Sequence, residues 1–167
     1  MEQKDIDWII RAHTEYPAKP SKGFRKWDEK TPYYMHPIWC ASMIATETSL
    51  NERTRREGGR VLLYHDVLED TTIGLPVWLP QREVSFIQDM TFEGGSKQEM
   101  EEIWGKTGEI KLYKLYDKTS NLLDGSWMDK EKWDSYATYT RKLSACVEGD
   151  YPGLNITRIA REIIRNK

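Results

Sequence analysis

The chain has 167 residues, and its 25 lysines and arginines nearly balance its 27 aspartates and glutamates, for a formal net charge of −2. This length predicts one domain over residues 1–167 with a real core, and the charge balance argues against bulk nucleic-acid binding. Because the sequence has no bilayer-length apolar run, no signal-peptide pattern and no paired-cysteine spacing, we expect a cytoplasmic protein that does not bind membranes.

The hydrophobic pattern predicts an all-α chain of about six to eight helices. Apolar residues recur at helical spacing, and no segment shows the alternation that is typical of strands. Prolines and glycines separate the predicted segments. These segments cover residues 5–16, 37–50, 53–69, 82–90, 96–104, 109–123, 130–147 and 155–165.

The first functional signal is a proline- and lysine-rich loop that precedes His36. This histidine lies at the N-terminal edge of the second predicted helix. In the loop, Arg25 and Lys26 are candidate phosphate contacts, because a guanidinium group can donate two hydrogen bonds to phosphate oxygens. The alternative is an ordinary solvated basic loop.

The segment His65-Asp66-Val67-Leu68-Glu69-Asp70 places ionisable groups inside an apolar, helix-compatible run. An ionised carboxylate in such a setting needs a cation or a strong hydrogen-bond network. On a helix, His65 and Glu69 would share a face, and so would Asp66 and Asp70. The alternative is a satisfied core histidine or an exposed cap. Upstream, Gly58-Gly59 predicts a close helix crossing or a break.

Further along, Ser96 and Glu99 have the spacing of a capping box that would open a helix. The helix predicted over 109–123 has an apolar face and a polar face. The polar face consists of Lys114, Asp117, Lys118 and Asn121. For the lysines alone, a solvated surface is the alternative interpretation.

Together, His36, His65, Asp66 and Asp117 supply two imidazoles and two carboxylates. This mixed set of nitrogen and oxygen donors suits a divalent ion such as manganese, iron or zinc.

At these residues the sequence resembles the HD-domain metal-dependent phosphohydrolases, whose pattern is a separated His, an adjacent His-Asp and a distant Asp. It looks most like the RelA/SpoT alarmone hydrolase branch, in particular the small single-domain metazoan SpoT-like enzyme. The resemblance is carried by Arg25-Lys26 with Thr31-Pro32-Tyr33 and His36-Pro37, by His65-Asp66-x-x-Glu69-Asp70-Thr71, and by Lys114-Leu115-x-Asp117-Lys118 with Asn121. It implies a compact helical HD domain around a metal site.

The resemblance also implies roles for individual residues. His36, His65, Asp66 and Asp117 would hold Mn²⁺ or another divalent ion, and Glu69 and Asp70 would act at the attacking water. Arg25, Lys26, Lys114, Lys118 and Asn121 would contact a nucleotide substrate.

The expected activity is removal of the 3′-diphosphate of guanosine tetra- or pentaphosphate. The alternatives are a phosphatase or pyrophosphohydrolase acting on another nucleotide, and an inactive nucleotide-binding module. The sequence leaves open the base, the cleavage position, the native metal and any assembly into a homo-oligomer.

Overall fold

A computed structural model describes residues 2–166, and in this range it shows an all-α architecture with no β-strand. Two isolated β-bridges are the only strand-like pairings within the range. Eight helices have eight or more residues, and a ninth is a single turn, so the predicted fold class is confirmed. In chain order they are α1 (Gln3–Glu15), α2 (Met35–Ala45), α3 (Glu52–Tyr64), α4 (Val67–Asp70), α5 (Gln81–Met90), α6 (Gly95–Glu102), α7 (Gly108–Leu123), α8 (Lys130–Asp150) and α9 (Asn155–Arg165).

No helix in the described part of the chain is both long and apolar enough to cross a membrane.

Helix α7 lies at the centre of the fold, where it contacts α2, α3, α5, α8 and α9. Its N-cap is Thr107, whose hydroxyl accepts a hydrogen bond from the Ile110 amide at 3.4 Å. Leu112, Leu115 and Leu122 are buried. Burying a side chain of this size contributes about 1.5–3 kcal/mol, so the apolar face of α7 anchors the core. The polar face is therefore held in a fixed position.

The Gly58-Gly59 pair allows α3 to cross its neighbours closely and does not break the helix. A Cβ at Gly58 would lie 2.6 Å from both Ile44 Cδ1 and Tyr113 Cε1. Only a residue without a side chain fits between α2 and α7 at this point. Of the two predicted alternatives, the close crossing is the one observed.

The single helix predicted over 53–69 is wrong, because the structure divides it at His65-Asp66. Helix α3 ends at Tyr64, and the one-turn helix α4 begins at Val67. The His65 Nδ1 atom bonds the Leu62 carbonyl at 2.7 Å, so a side chain occupies an acceptor in the last turn of α3. At the break, the His65 Nε2 atom lies 3.1 Å from Asp66 Oδ1.

The capping box predicted from Ser96 and Glu99 is also wrong. Helix α6 begins at Gly95 after an N-cap at Gly94 that makes no side-chain cap hydrogen bond. The Glu99 side chain is buried and bonds two lysines of α7 instead. Buried ammonium groups require a counter-charge, and that demand outweighs a local cap.

A second buried carboxylate, Glu47, fixes the start of α9. Its Oε1 atom accepts hydrogen bonds from the Tyr116 hydroxyl at 3.1 Å and the Ile156 amide at 2.9 Å. Its Oε2 atom accepts a bond from the Asn155 amide at 3.0 Å. The amides at a helix N-terminus lack partners within the helix and carry partial positive charge, so an anion is favourable there.

Candidate metal centre

The fold brings four predicted ligands, distant in sequence, to one place. His36 lies in the first turn of α2, His65-Asp66 between α3 and α4, and Asp117 in the middle of α7. The His36 Nε2 atom is 3.3 Å from both Asp66 Oδ2 and Asp117 Oδ1. The His65 Nε2 atom is 3.1 Å from Asp66 Oδ1 and 3.9 Å from Asp117 Oδ1.

Each imidazole is oriented by a hydrogen bond on the side away from the carboxylates. The His36 Nδ1 atom is 2.8 Å from Ser120 Oγ, and the His65 Nδ1 atom is 2.7 Å from the Leu62 carbonyl oxygen. Because a carbonyl only accepts, the proton of neutral His65 belongs on Nδ1, and Nε2 keeps its lone pair. This arrangement, with one ring nitrogen held and the other aimed at a cluster, is typical of histidines that bind metals.

These donors fit a divalent cation. The Nε2 atoms of His36 and His65 are buried and make no hydrogen bond with any described group. Candidate ligand atoms of His36, His65 and Asp66 all lie within 4.8 Å of one another. Two imidazole nitrogens and a carboxylate, with Asp117 beside them, form a donor set that manganese, iron and zinc all accept.

The charges within the cluster are strongly coupled. Burial opposes protonation of His65, but Asp66 and Asp117 outweigh it and raise the pKa of His65 to about 9. Burial lowers the pKa of His36 despite the same two carboxylates. Burial alone would raise the pKa of Asp66, but the two histidines lower it to about 2. The cluster is therefore anionic enough to attract a cation, which would replace the proton on His65.

The two carboxylate oxygens of Asp117 contact different groups. Its Oδ1 atom, which faces the histidines, also accepts a hydrogen bond from Asn121 Nδ2 at 2.6 Å. Its Oδ2 atom lies 3.3 Å from the ammonium groups of both Lys114 and Lys118. Burial would raise the pKa of Asp117, but Lys118 and Lys114 hold it well below the usual range. The carboxylate is therefore ionised and fixed.

A cleft of about 310 Å³ opens above Asp66 and Asp117. It contains carboxylates near the cluster and cations along its walls. The cations are Lys22, Arg25, Lys26, Lys114, Lys118 and Lys132. Such a charge distribution suits a ligand that carries several negative charges, such as a phosphorylated molecule.

Glu69 and Asp70, the predicted catalytic pair, both line this cleft. The Glu69 side chain is exposed and accepts a hydrogen bond from the Phe92 amide at 3.2 Å, whereas Asp70 is buried and pairs with Lys22. Desolvation raises the pKa of each carboxyl group, and the neighbouring Asp66 adds to both effects. Of the two, Glu69 has more freedom to meet a water molecule.

The predicted substrate contacts also reach the cleft, although several are engaged with protein groups. Arg25 is buried, with its Nε atom 2.5 Å from Asp124 Oδ2 and its Nη2 atom 3.3 Å from Asn121 Oδ1. Lys26 packs over the Trp127 ring at 4.4 Å. The buried positions of Lys114 and Lys118 exclude the solvated-surface interpretation.

Several residues at the cleft had no signal in local sequence spacing. Tyr33 donates a hydrogen bond to Asp66 Oδ2 at 2.7 Å, and Glu99 bridges the two buried lysines. Lys132 packs over Trp127 at 4.5 Å, on the segment that begins α8. Tyr33 falls within the Thr31-Pro32-Tyr33 motif, so it could have been proposed from the resemblance. The positions of the other two, Glu99 and Lys132, depend on how separate helices pack.

An all-α fold with a buried His-Asp cluster beneath a cationic cleft thus defines the molecule. No protein-family model matches the sequence, and no curated protein matches it. The chain is similar to a solved structure described as a metazoan ortholog of SpoT that hydrolyzes ppGpp and plays a role in starvation responses. The TM-score is 0.70 at 20% sequence identity, and the alignment covers 99% of this chain and 96% of that one. The predicted resemblance is confirmed at the level of the fold.

Proposed function

We propose that this chain is a divalent-metal-dependent hydrolase of phosphorylated nucleotides, with the 3′-diphosphate of guanosine tetra- or pentaphosphate as its preferred target and Mn²⁺ as its preferred ion. The observation that carries the proposal is the pair of buried Nε2 atoms on His36 and His65, which face Asp66 and Asp117 beneath a cationic cleft. The similar solved structure, described as a ppGpp hydrolase, supports the choice of substrate. Location in the cytoplasm remains a prediction, and the sequence leaves assembly into a homo-oligomer open.

The metal ligands, Glu69 and Asp70 have different proposed roles in the reaction. A divalent ion held by His36, His65, Asp66 and Asp117 would neutralise phosphate charge and favour the deprotonation of water. The carboxylate of Glu69, whose pKa is raised by desolvation in the cleft, is placed to accept a proton from the attacking water. Asp70 would orient that water while it remains paired with Lys22.

Substrate binding falls to the cations of the cleft. Lys114 and Lys118 lie one helical turn apart and next to Asp117, so they can meet phosphoryl oxygens close to the reacting centre. Arg25, held by Asn121 and Asp124, also lines the cleft. Lys26, which packs over Trp127, lines the cleft as well.

The direct test is an assay of the purified chain with Mn²⁺ against a panel of guanosine and adenosine phosphates, with separate detection of pyrophosphate and orthophosphate. We expect pyrophosphate from guanosine tetraphosphate, and no release with chelator or with His65→Ala. Glu47→Gln is a matched control, since it alters a buried carboxylate that does not line the cleft.

Other outcomes would redirect the proposal. Orthophosphate release from simple nucleotides would indicate a nucleotide phosphatase. Nucleotide binding without turnover by the metal-loaded chain would indicate a binding module. Turnover that survives His65→Ala would contradict the proposed metal centre.

A further inference from the structure

Glu99 is a buried carboxylate at the wall of the cleft that has no assigned part in metal binding or in catalysis. Its residue is 3% exposed. The Oε2 atom is 3.2 Å from Lys114 Nζ and 2.9 Å from Lys118 Nζ, and Oε1 accepts a hydrogen bond from the Tyr139 hydroxyl at 2.9 Å. Both carboxylate oxygens are thus engaged by residues of α7 and α8.

The same two lysines connect Glu99 to the metal centre. Each ammonium group is also 3.3 Å from Asp117 Oδ2, while Asp117 Oδ1 is 3.3 Å from His36 Nε2. One layer of lysine side chains therefore separates Glu99 from the candidate ligands. Two buried lysines and two buried carboxylates form a network whose formal charges cancel.

This balance matters because the adjacent cluster must attract a cation. If Asp117 faced both ammonium groups alone, the network would carry an excess positive charge beside the metal centre. Charges this close interact strongly where water is scarce. Excess positive charge would repel a divalent ion and would draw Asp117 toward the lysines.

We infer that Glu99 is a positioning residue that balances the Lys114–Lys118 pair and thereby leaves Asp117 free to bind the cation. The inference rests on the proposed function, because it requires a metal at the cluster. A purely structural role, in which Glu99 only ties α6 to α7, predicts lost stability with unchanged metal affinity.

The test is the affinity for Mn²⁺ alone, measured by calorimetric titration of the whole chain and its variants. We expect Glu99→Gln to weaken binding by roughly 10- to 100-fold, the range seen when outer partners of metal ligands are lost. Lys114→Met should have the opposite effect and tighten binding, since it removes a positive charge. The double variant should return close to the native affinity.

The recovery in the double variant separates charge balance from packing, because that variant has lost more contacts than either single one. Glu47→Gln, another buried glutamate, should keep native affinity. Native affinity in folded Glu99→Gln, or weaker binding by Lys114→Met, would overturn the inference and leave the proposed function intact. If Glu99→Gln does not fold, the Mn²⁺ affinity of Lys114→Met still tests the inference. No Mn²⁺ binding by the native chain would overturn both.

Discussion

Two buried polar clusters in this chain are built around carboxylates, and they differ in whether their polar atoms are satisfied. Around Glu47, a tyrosine hydroxyl and two backbone amides saturate the carboxylate. Around Asp66 and Asp117, the Nε2 atoms of His36 and His65 make no hydrogen bond with the described groups. The first cluster joins the segment after α2 to helices α7 and α9, whereas the second offers its nitrogens to a ligand. An unpaired buried polar atom requires a physical explanation, and a bound cation would supply one for these two nitrogens.

The largest effect is expected from a change in the unsatisfied cluster. His36→Gln removes an imidazole donor, so we expect Mn²⁺ affinity to fall by more than the roughly 10- to 100-fold typical of outer partners. Stability without metal should fall by only about 0.5–1.5 kcal/mol, because the change removes the hydrogen bond between His36 Nδ1 and Ser120 Oγ, whereas Nε2 makes none. Calorimetric titration and urea unfolding measure the two quantities. If His36→Gln strongly destabilised the fold but kept native Mn²⁺ affinity, this cluster would be structural, like the cluster around Glu47.

A second prediction separates binding from chemistry within the same cleft. Glu69→Gln keeps the shape of the side chain but removes the proposed base, so kcat should fall about 10²- to 10⁴-fold. Mn²⁺ affinity should stay near the native value, since the proposed ligands are intact. Steady-state kinetics with the best substrate of the panel gives the answer. Glu101→Gln, an exposed change on α6, is the control and should behave as native.

The third prediction concerns pH and the metal-free protein. The pKa of His65 is raised from its ordinary 6.5 to about 9, so its charged form stabilises the fold. That contribution, on the order of 3 kcal/mol, is fully present below pH 6.5 and is lost as pH rises through 9. Urea unfolding in chelator from pH 6 to 10 should show the loss. A flat native profile, equal to that of His65→Ala, would contradict it.

The smallest effect is expected in the satisfied cluster, and it should fall on stability alone. Glu47→Gln removes a charged acceptor of three hydrogen bonds, which should cost about 1.5–3 kcal/mol of unfolding free energy. The activity of the folded fraction should match the native chain. Chemical unfolding measures the loss of stability, and kcat/KM on the same preparation measures the activity. A drop in kcat/KM would show that the two clusters are coupled through α7.

The parts of this molecule that sequence predicts well are those set by local periodicity. The helical segments and the two faces of α7 follow from spacing at three and four residues. The four predicted ligands lie together, although their metal-binding role is a proposal. The resemblance supplied that grouping, since spacing along the chain does not show that His36 approaches Asp117.

The expectations that failed involve competition between local and tertiary interactions. A capping box at Ser96 and Glu99 satisfies local rules, yet buried lysines from α7 take the carboxylate. The helix predicted through His65 is divided where its imidazole takes a backbone carbonyl. At Glu99, lysines from another helix replace the expected local cap. At His65, the side chain bonds a backbone carbonyl where the helix was expected to continue. Periodicity alone reveals neither interaction.

The central position of α7 also limits which changes in chain length the protein can tolerate. One added residue turns the following part of a helix by about 100°. An insertion just before Lys114 would rotate Asp117 away from the histidines and would put Tyr116 in its place. The loop between α4 and α5 has no such constraint, because no predicted ligand follows it before α7. Insertions and deletions should therefore accumulate in that loop and be absent from α7.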